Sequence, residues 1–198
     1  MFNKECVILH APHSSLVIPE EERKQILLND DELRIELLAM TDHFVDELFF
    51  FPGVDMITSL TSRLVVDMEK FRDDKEEIMA PVGMGAVYIK TSVGKDLRES
   101  NNASRELLLS RYYDPYHSEF EHRVEEKLNQ YGRCVILDCH SFPAVPLPYE
   151  LDQDPHRPDI CLGTCDFHTS KELLGYAVEF FSQHNLSVAV NRPFSGTI

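Results

Sequence analysis

The chain has 198 residues, enough for one sizeable core, and an ordinary apolar content of 43%. With 19 basic and 34 acidic residues its formal charge is −15, a balance that repels a phosphate backbone and argues against a nucleic-acid partner. No apolar stretch approaches the ~20 residues of a membrane helix and no signal-peptide pattern opens the chain, so a cytoplasmic protein without a membrane partner is expected.

Cys6-Val7-Ile8-Leu9 reads as a buried first strand over 5–10, running into Ala11-Pro12-His13-Ser14-Ser15. Ile18-Pro19-Glu20-Glu21-Glu22 opens a short helix, with proline and acids where a helix start favours them. A longer helix is predicted over 31–50, with Asp30 as its cap and Leu33, Leu37, Leu38, Thr41, Val45 and Leu48 at helical spacing. Short strands are predicted at 55–59 and over Arg63–Asp67. From 69 to 100 the chain reads as a long loop with a dense charge run and a short strand, Val87-Tyr88-Ile89, among glycines. Helical pattern returns over 103–131, broken near Pro115 and stopped by Gly132. Strand 133–138, a proline-rich loop at 143–158, strand 159–164, helix 169–184 and strand 187–190 follow. The loop suits a lid or a cleft wall. The alternation predicts one α/β domain over 1–198 with a mostly parallel mixed sheet flanked by helices.

Two of these strands deliver a histidine just beyond their carboxyl ends, where α/β sheets bind ligands: His13 after the first, and His140 within Leu137-Asp138-Cys139-His140-Ser141. Two neutral imidazoles and a carboxylate with one open position make a catalytic zinc site, although another divalent ion would suit imidazole too. Asp42, an acid beside the apolar stripe of its helix, is the first choice for the carboxylate, ahead of Glu20 and Glu69. Asp138 suits an acceptor that fixes an imidazole tautomer. Arg63 is placed either to grip a substrate carboxylate or to form a salt bridge, and Tyr88 either to lean over a pocket or to fill the core. His117, on one helix face with Phe120 and Val124, reads as packing. Cys139 is badly oriented to use His140 as a base, and Cys161 and Cys165 read as small buried hydrophobes. Five cysteines without a C-x-x-C pair argue against a disulfide framework.

The ordered set Pro12-His13-Ser14-Ser15, Thr41-Asp42, Ser62-Arg63 with Val66-Asp67, Gly85 with Tyr88, Tyr116-His117, Asp138-Cys139-His140-Ser141, Asp159 with Leu162-Gly163-Thr164, and Asn191-Arg192-Pro193-Phe194 resembles the N-formylglutamate amidohydrolase family. The resemblance implies a phosphorylase/hydrolase-like, zinc carboxypeptidase-like fold and hydrolysis of N-formyl-L-glutamate to formate and glutamate in histidine catabolism. It implies metal ligation, with Zn2+ expected, by His13 and His140 and makes Asp42 a more credible third ligand; Arg63, Tyr88 and Asn191 are the residues expected to face a small N-acyl amino acid. The oligomeric state is not implied. Glu69-Lys70 stands where the family commonly has Asn-Arg, and the family's continuation into a glutamate-bearing strand lies beyond Ile198, so no general base is assigned within these residues. The alternatives are a metal- or ligand-binding relative without turnover, and a carboxypeptidase-like amidase of peptide or cell-wall substrates.

Overall fold

Residues 3–196 are described by a computed structural model. They divide into two compact units, joined between Phe142 and Pro143.

The first unit is organised by a three-stranded parallel sheet of order β2-β1-β3, formed by β1 (Val7–Ala11), β2 (Asp55–Thr58) and β3 (Val135–Asp138). All five residues of β1 are buried, as expected of a central parallel strand covered on both faces. Val7, Leu9 and Ala11 pack with Val45 and Cys139, whereas Ile8, on the opposite face, packs with Ile57 and Phe120. The β1–β3 register sets His10 opposite Asp138. One further bond, from the Cys139 amide to the His10 carbonyl at 2.7 Å, carries the pairing past the end of β3.

The helix predicted over 31–50 is two helices. α1 (Glu20–Arg23) precedes both, and the first of the two, α2, runs Asp30–Met40. The cap of α2 is Asn29 rather than Asp30, because Asn29 and Glu32 bond each other's backbone amides in a capping box. α2 ends when Thr41 turns extended, and the Asp42 amide donates to the His13 carbonyl at 3.0 Å instead of continuing the helix. Phe44 takes a left-handed φ of 62° before the short helix α3 (Val45–Leu48).

The strand predicted at Arg63–Asp67 is also corrected. The Val65 amide returns to the Ser62 carbonyl at 2.8 Å, and Ser62 Oγ accepts the Leu64 amide at 3.2 Å, so the segment turns. Its carbonyls at Leu64 and Val65 accept from the buried Arg98 guanidinium, which stands in for a strand neighbour. Val65 and Val66 are buried all the same, with Ala86, Val87, Leu108 and Leu109. Val87-Tyr88-Ile89 likewise forms no strand: the amides of Ile89 and Lys90 both close on the Gly83 carbonyl, at 2.8 and 3.1 Å. The helical stretch after Asn101 is α4 (Asn102–Leu108), a π-helical turn at Leu109–Tyr113, and α5 (Asp114–Tyr131), with Gly132 left-handed at its end.

The second unit contains β4 (Ile160–Leu162), α6 (Lys171–Gln183) and β5 (Val188–Val190), with β4 and β5 paired in parallel. Its proline-rich loop is fixed by Arg157, which donates to the buried Glu150 and to the carbonyls of Pro143 and Asp152. No helix among the described residues is long and apolar enough to cross a membrane.

Because β1 is the strand on which both faces of the first unit pack, Ile8→Ala is expected to cost about 2–5 kcal/mol of stability, read from the urea midpoint.

Candidate metal centre

β1 ends at Ala11 and β3 at Asp138, so the next residues of both strands leave the sheet at the same edge and bring the rings of His13 and His140 to a centroid distance of 5.1 Å. The break in the helical stretch then delivers Asp42. The backbone bond from its amide to His13 places the carboxylate against both imidazoles: Oδ2 lies 2.9 Å from His140 Nδ1 and 3.8 Å from His13 Nδ1.

The far nitrogen of each ring meets another carboxylate. His13 Nε2 lies 2.8 Å from Asp67 Oδ1, and His140 Nε2 lies 3.1 Å from Asp138 Oδ2. A carboxylate held ionised only accepts, so the His13–Asp67 bond keeps a proton on His13 Nε2 and leaves Nδ1 as the nitrogen that can exchange its proton for an ion. That Nδ1 is buried and has no hydrogen-bond partner among the described residues. A buried ring nitrogen without a partner, on an imidazole held at its other nitrogen by a carboxylate, is the environment of a metal-ligating histidine. The donor set therefore fits a divalent cation of the zinc type.

Asp67 is the anchor of this arrangement. Its Oδ1 accepts from His13 and from the Glu69 amide at 3.0 Å, while Oδ2 accepts from Arg63 Nε at 3.2 Å, Arg63 Nη2 at 2.7 Å and the Tyr88 hydroxyl. Full burial opposes its ionisation, but the charges of Arg63 and His13 together with these hydrogen bonds hold its carboxyl well below the ordinary carboxylate range. Burial also opposes the charged form of Asp42, and the bonds from His13 and His140 reverse that, so it too is lowered. The histidines move the opposite way. Burial and Arg63 push His13 down, yet Asp67 and Asp42 raise it; burial pushes His140 down, yet Asp138, Asp42 and Glu69 raise it further.

Glu69 is the fourth carboxylate at the centre, with Oε2 3.7 Å from His13 Nδ1 and Oε1 3.2 Å from His140 Nε2. Ligand atoms of His13, Glu69 and His140 all lie within 4.8 Å of one another. At 30% exposure, the Glu69 side chain is more open to solvent than Asp42 at 10% or Asp67 at 0%.

Arg63 and Tyr88 are thus brought beside the centre, where the hydrogen bonds described above go to Asp67. Asn191 belongs to the second unit, where its amide ties the end of β5 to Thr164, accepting from the Thr164 amide at 2.8 Å and donating to its hydroxyl at 2.9 Å. Lys70 pairs with the buried Glu77 at 3.3 Å. Glu20 pairs with Lys24 at 3.5 Å on α1. His117 caps the Met68 carbonyl at 2.8 Å and leans on Tyr113, the packing role its helix face predicts. Cys139 is buried, and desolvation, then the Asp138 charge, pushes its thiol up to about 12, which leaves it no nucleophile. All five cysteines are free. The sequence reading overlooked His10, whose Nδ1 lies 2.6 Å from Asp138 Oδ1; the pairing register of β1 and β3 was the signal that sequence alone could not supply.

A sequence profile described as N-formylglutamate amidohydrolase matches residues 5–198. The chain belongs to the N-formylglutamate amidohydrolase family. Among curated relatives, an N-formylglutamate deformylase of Pseudomonas putida is 25% identical over 185 residues, covering 87% of this chain and 66% of the relative. The chain therefore spans a little under two thirds of that protein. Among solved structures, an N-formylglutamate amidohydrolase from Ralstonia eutropha superposes with a TM-score of 0.82 at 19% identity, over 97% of this chain and 74% of the other. A gene product of Agrobacterium tumefaciens superposes at 0.70 with 19% identity, over 98% and 73%. These structures share the α/β fold of the family.

Arg63 has a consequence that separates its two readings. If it compensates the buried Asp67, then Arg63→Ala leaves an unpaired buried charge and costs about 3–5 kcal/mol in protein free of metal and substrate. A guanidinium that served only to grip substrate would leave the denaturation midpoint in place.

Proposed function

We propose that this chain carries the metal centre of a zinc-dependent amidohydrolase that cleaves a small N-acyl amino acid, with N-formyl-L-glutamate as substrate and formate and glutamate as products. The observation that carries the reading is the gathering of two imidazoles with Asp42 and Glu69, in which His13 Nδ1 and His140 Nε2 are buried and have no hydrogen-bond partner among the described residues. His13, through Nδ1, His140 and Asp42 would hold the ion. When bound, zinc supplies a Lewis acid for the acyl oxygen and brings water into the ionisation range of neutral pH. The family and the deformylase relative support the reaction class.

The chain's own residues divide the remaining work. Asp67 holds the His13 ring by a hydrogen bond at Nε2, so that His13 Nδ1 faces the centre, and Asp138 stands 3.1 Å from His140 Nε2. Arg63 and Tyr88 hold Asp67 in its ionised state. Glu69, the most open carboxylate of the four whose oxygens meet these two rings, takes a proton from the attacking water at its carboxylate oxygen and returns it to the leaving nitrogen as the C–N bond breaks. A new C–O bond to the acyl carbon completes formate, and the amine leaves as glutamate.

The test separates ligand from base. Purified wild type is expected to contain about one zinc per chain by elemental analysis and to release formate from N-formylglutamate. Asp42→Asn and His140→Ala should lose the zinc. Glu69→Gln should keep it while kcat falls about 10²–10⁴-fold with KM little changed, the scale of general acid–base catalysis. Loss of zinc in Glu69→Gln would make Glu69 a ligand, and zinc without turnover in wild type would favour a binding relative.

A further inference from the structure

His10 sits where an aliphatic residue would be expected. It is 1% exposed, on the central strand, and its face of β1 is that of Ile8, packed with Ile57 and Phe120. Its ring stacks on Phe120 at 4.7 Å with an interplanar angle of 16°, and Tyr116 leans on it at 5.9 Å. Its Nε2 has no hydrogen-bond partner among the described residues. Leaving a buried polar atom unsatisfied costs about 1–3 kcal/mol, and a valine there would avoid it. What the imidazole provides is one bond, Nδ1–H to Asp138 Oδ1 at 2.6 Å. The other oxygen of Asp138 lies 3.1 Å from His140 Nε2, an ion-pair contact at a ring nitrogen that makes no hydrogen bond among the described residues. The terminal torsion of an aspartate is broad, so a carboxylate facing a single partner is free to rotate. Pinning Oδ1 from the strand beneath fixes where Oδ2 points.

We propose that His10 is a positioning residue: it locks the Asp138 carboxylate, and through it the orientation of the His140 ring. The chain of contacts runs from the middle of β1, across the ladder to the end of β3, and up to the centre. The proposal uses the metal-centre reading above for what His140 serves, but the relay itself belongs to the metal-free fold.

Histidine-labelled protein tests it in two ways. In metal-free wild type, imidazole ¹⁵N signals should show His10 protonated at Nδ1, and His140 with a single set of ring signals. His10→Phe keeps an aromatic ring against Phe120 but removes the donor. It should shift the His140 nitrogens and weaken zinc binding about 10–100-fold in competition with a chelating dye, the usual cost of losing an outer partner of a metal-ligating histidine. His10→Asn, whose side-chain N–H reaches toward the same oxygen, should recover zinc affinity to within a few-fold. If His10→Phe does not fold by circular dichroism, His10→Val, Asp138→Asn and their combination carry the test, with His10→Val expected to weaken zinc binding and the double variant expected to bind zinc no more weakly than Asp138→Asn alone. Unchanged His140 signals and zinc affinity in His10→Phe, equal losses in the Phe and Asn variants, or additive losses in the double variant would overturn the proposal. A wild type that takes up no zinc would sink the hydrolase reading, while the ¹⁵N comparison would still decide the relay.

Discussion

The first unit depends on one buried charge. Asp67 is fully enclosed, yet it is ionised, because Arg63, Tyr88, the Glu69 amide and His13 together occupy both of its oxygens. A carboxylate in that position would be intolerable without such partners, since burying an unpaired ion costs several kcal/mol. The partners in turn account for much of the irregular chain around it. The turn at Ser62–Val65 aims Arg63 and Asp67 at each other four residues apart, and the glycine-flanked loop brings Tyr88 to the same oxygen. Glu69 is tethered to the cluster through its own amide. The fold is held here by a polar network, and that network is also what sets the tautomer of His13.

The sheet supplies the second half of the geometry. In a parallel pair both chains leave the sheet at the same edge, so the register that sets His10 opposite Asp138 also brings the segments that follow, with His13 and His140, to that edge. Asp42 arrives by a different route. Its helix stops short, and the amide that would have continued α2 bonds the carbonyl of His13 instead. A continuous helix over 31–50 would hold that amide in its own ladder. The break at Thr41–Phe44, with its left-handed Phe44, is thus the structural condition for the carboxylate to reach the histidines.

This contrast shows what was legible in the sequence. The strand ends with their histidines could be read directly, because apolar β-branched runs followed by turn residues specify buried strands and the carboxyl edge follows from strand polarity. The helix through Asp42 could be read in its apolar spacing but not in its interruption, which is set by a tertiary hydrogen bond to His13 rather than by any proline or glycine. Leu64-Val65-Val66 misleads for a related reason: burial is what the apolar run reports, and the buried Arg98 satisfies carbonyls that would otherwise need a neighbouring strand. Asp67 and Glu69 lie in and beside a charge-rich stretch where spacing says nothing about which acids turn inward.

The charges of the centre explain why so acidic a cluster can persist. Asp42, Asp67, Glu69 and Asp138 gather within contact of two imidazoles, and the raised protonation of His13 and His140 is the response of those rings to that field. A divalent cation placed against the same oxygens would answer the field as protons do, with the rings returned to their neutral form. Under the proposed metal reading, metal and protons would compete for one cluster, since ligating groups must give up their protons. Arg63 sets the limit on the opposing charge: it neutralises Asp67, so the carboxylates left uncompensated by an arginine are Asp42, Glu69 and Asp138.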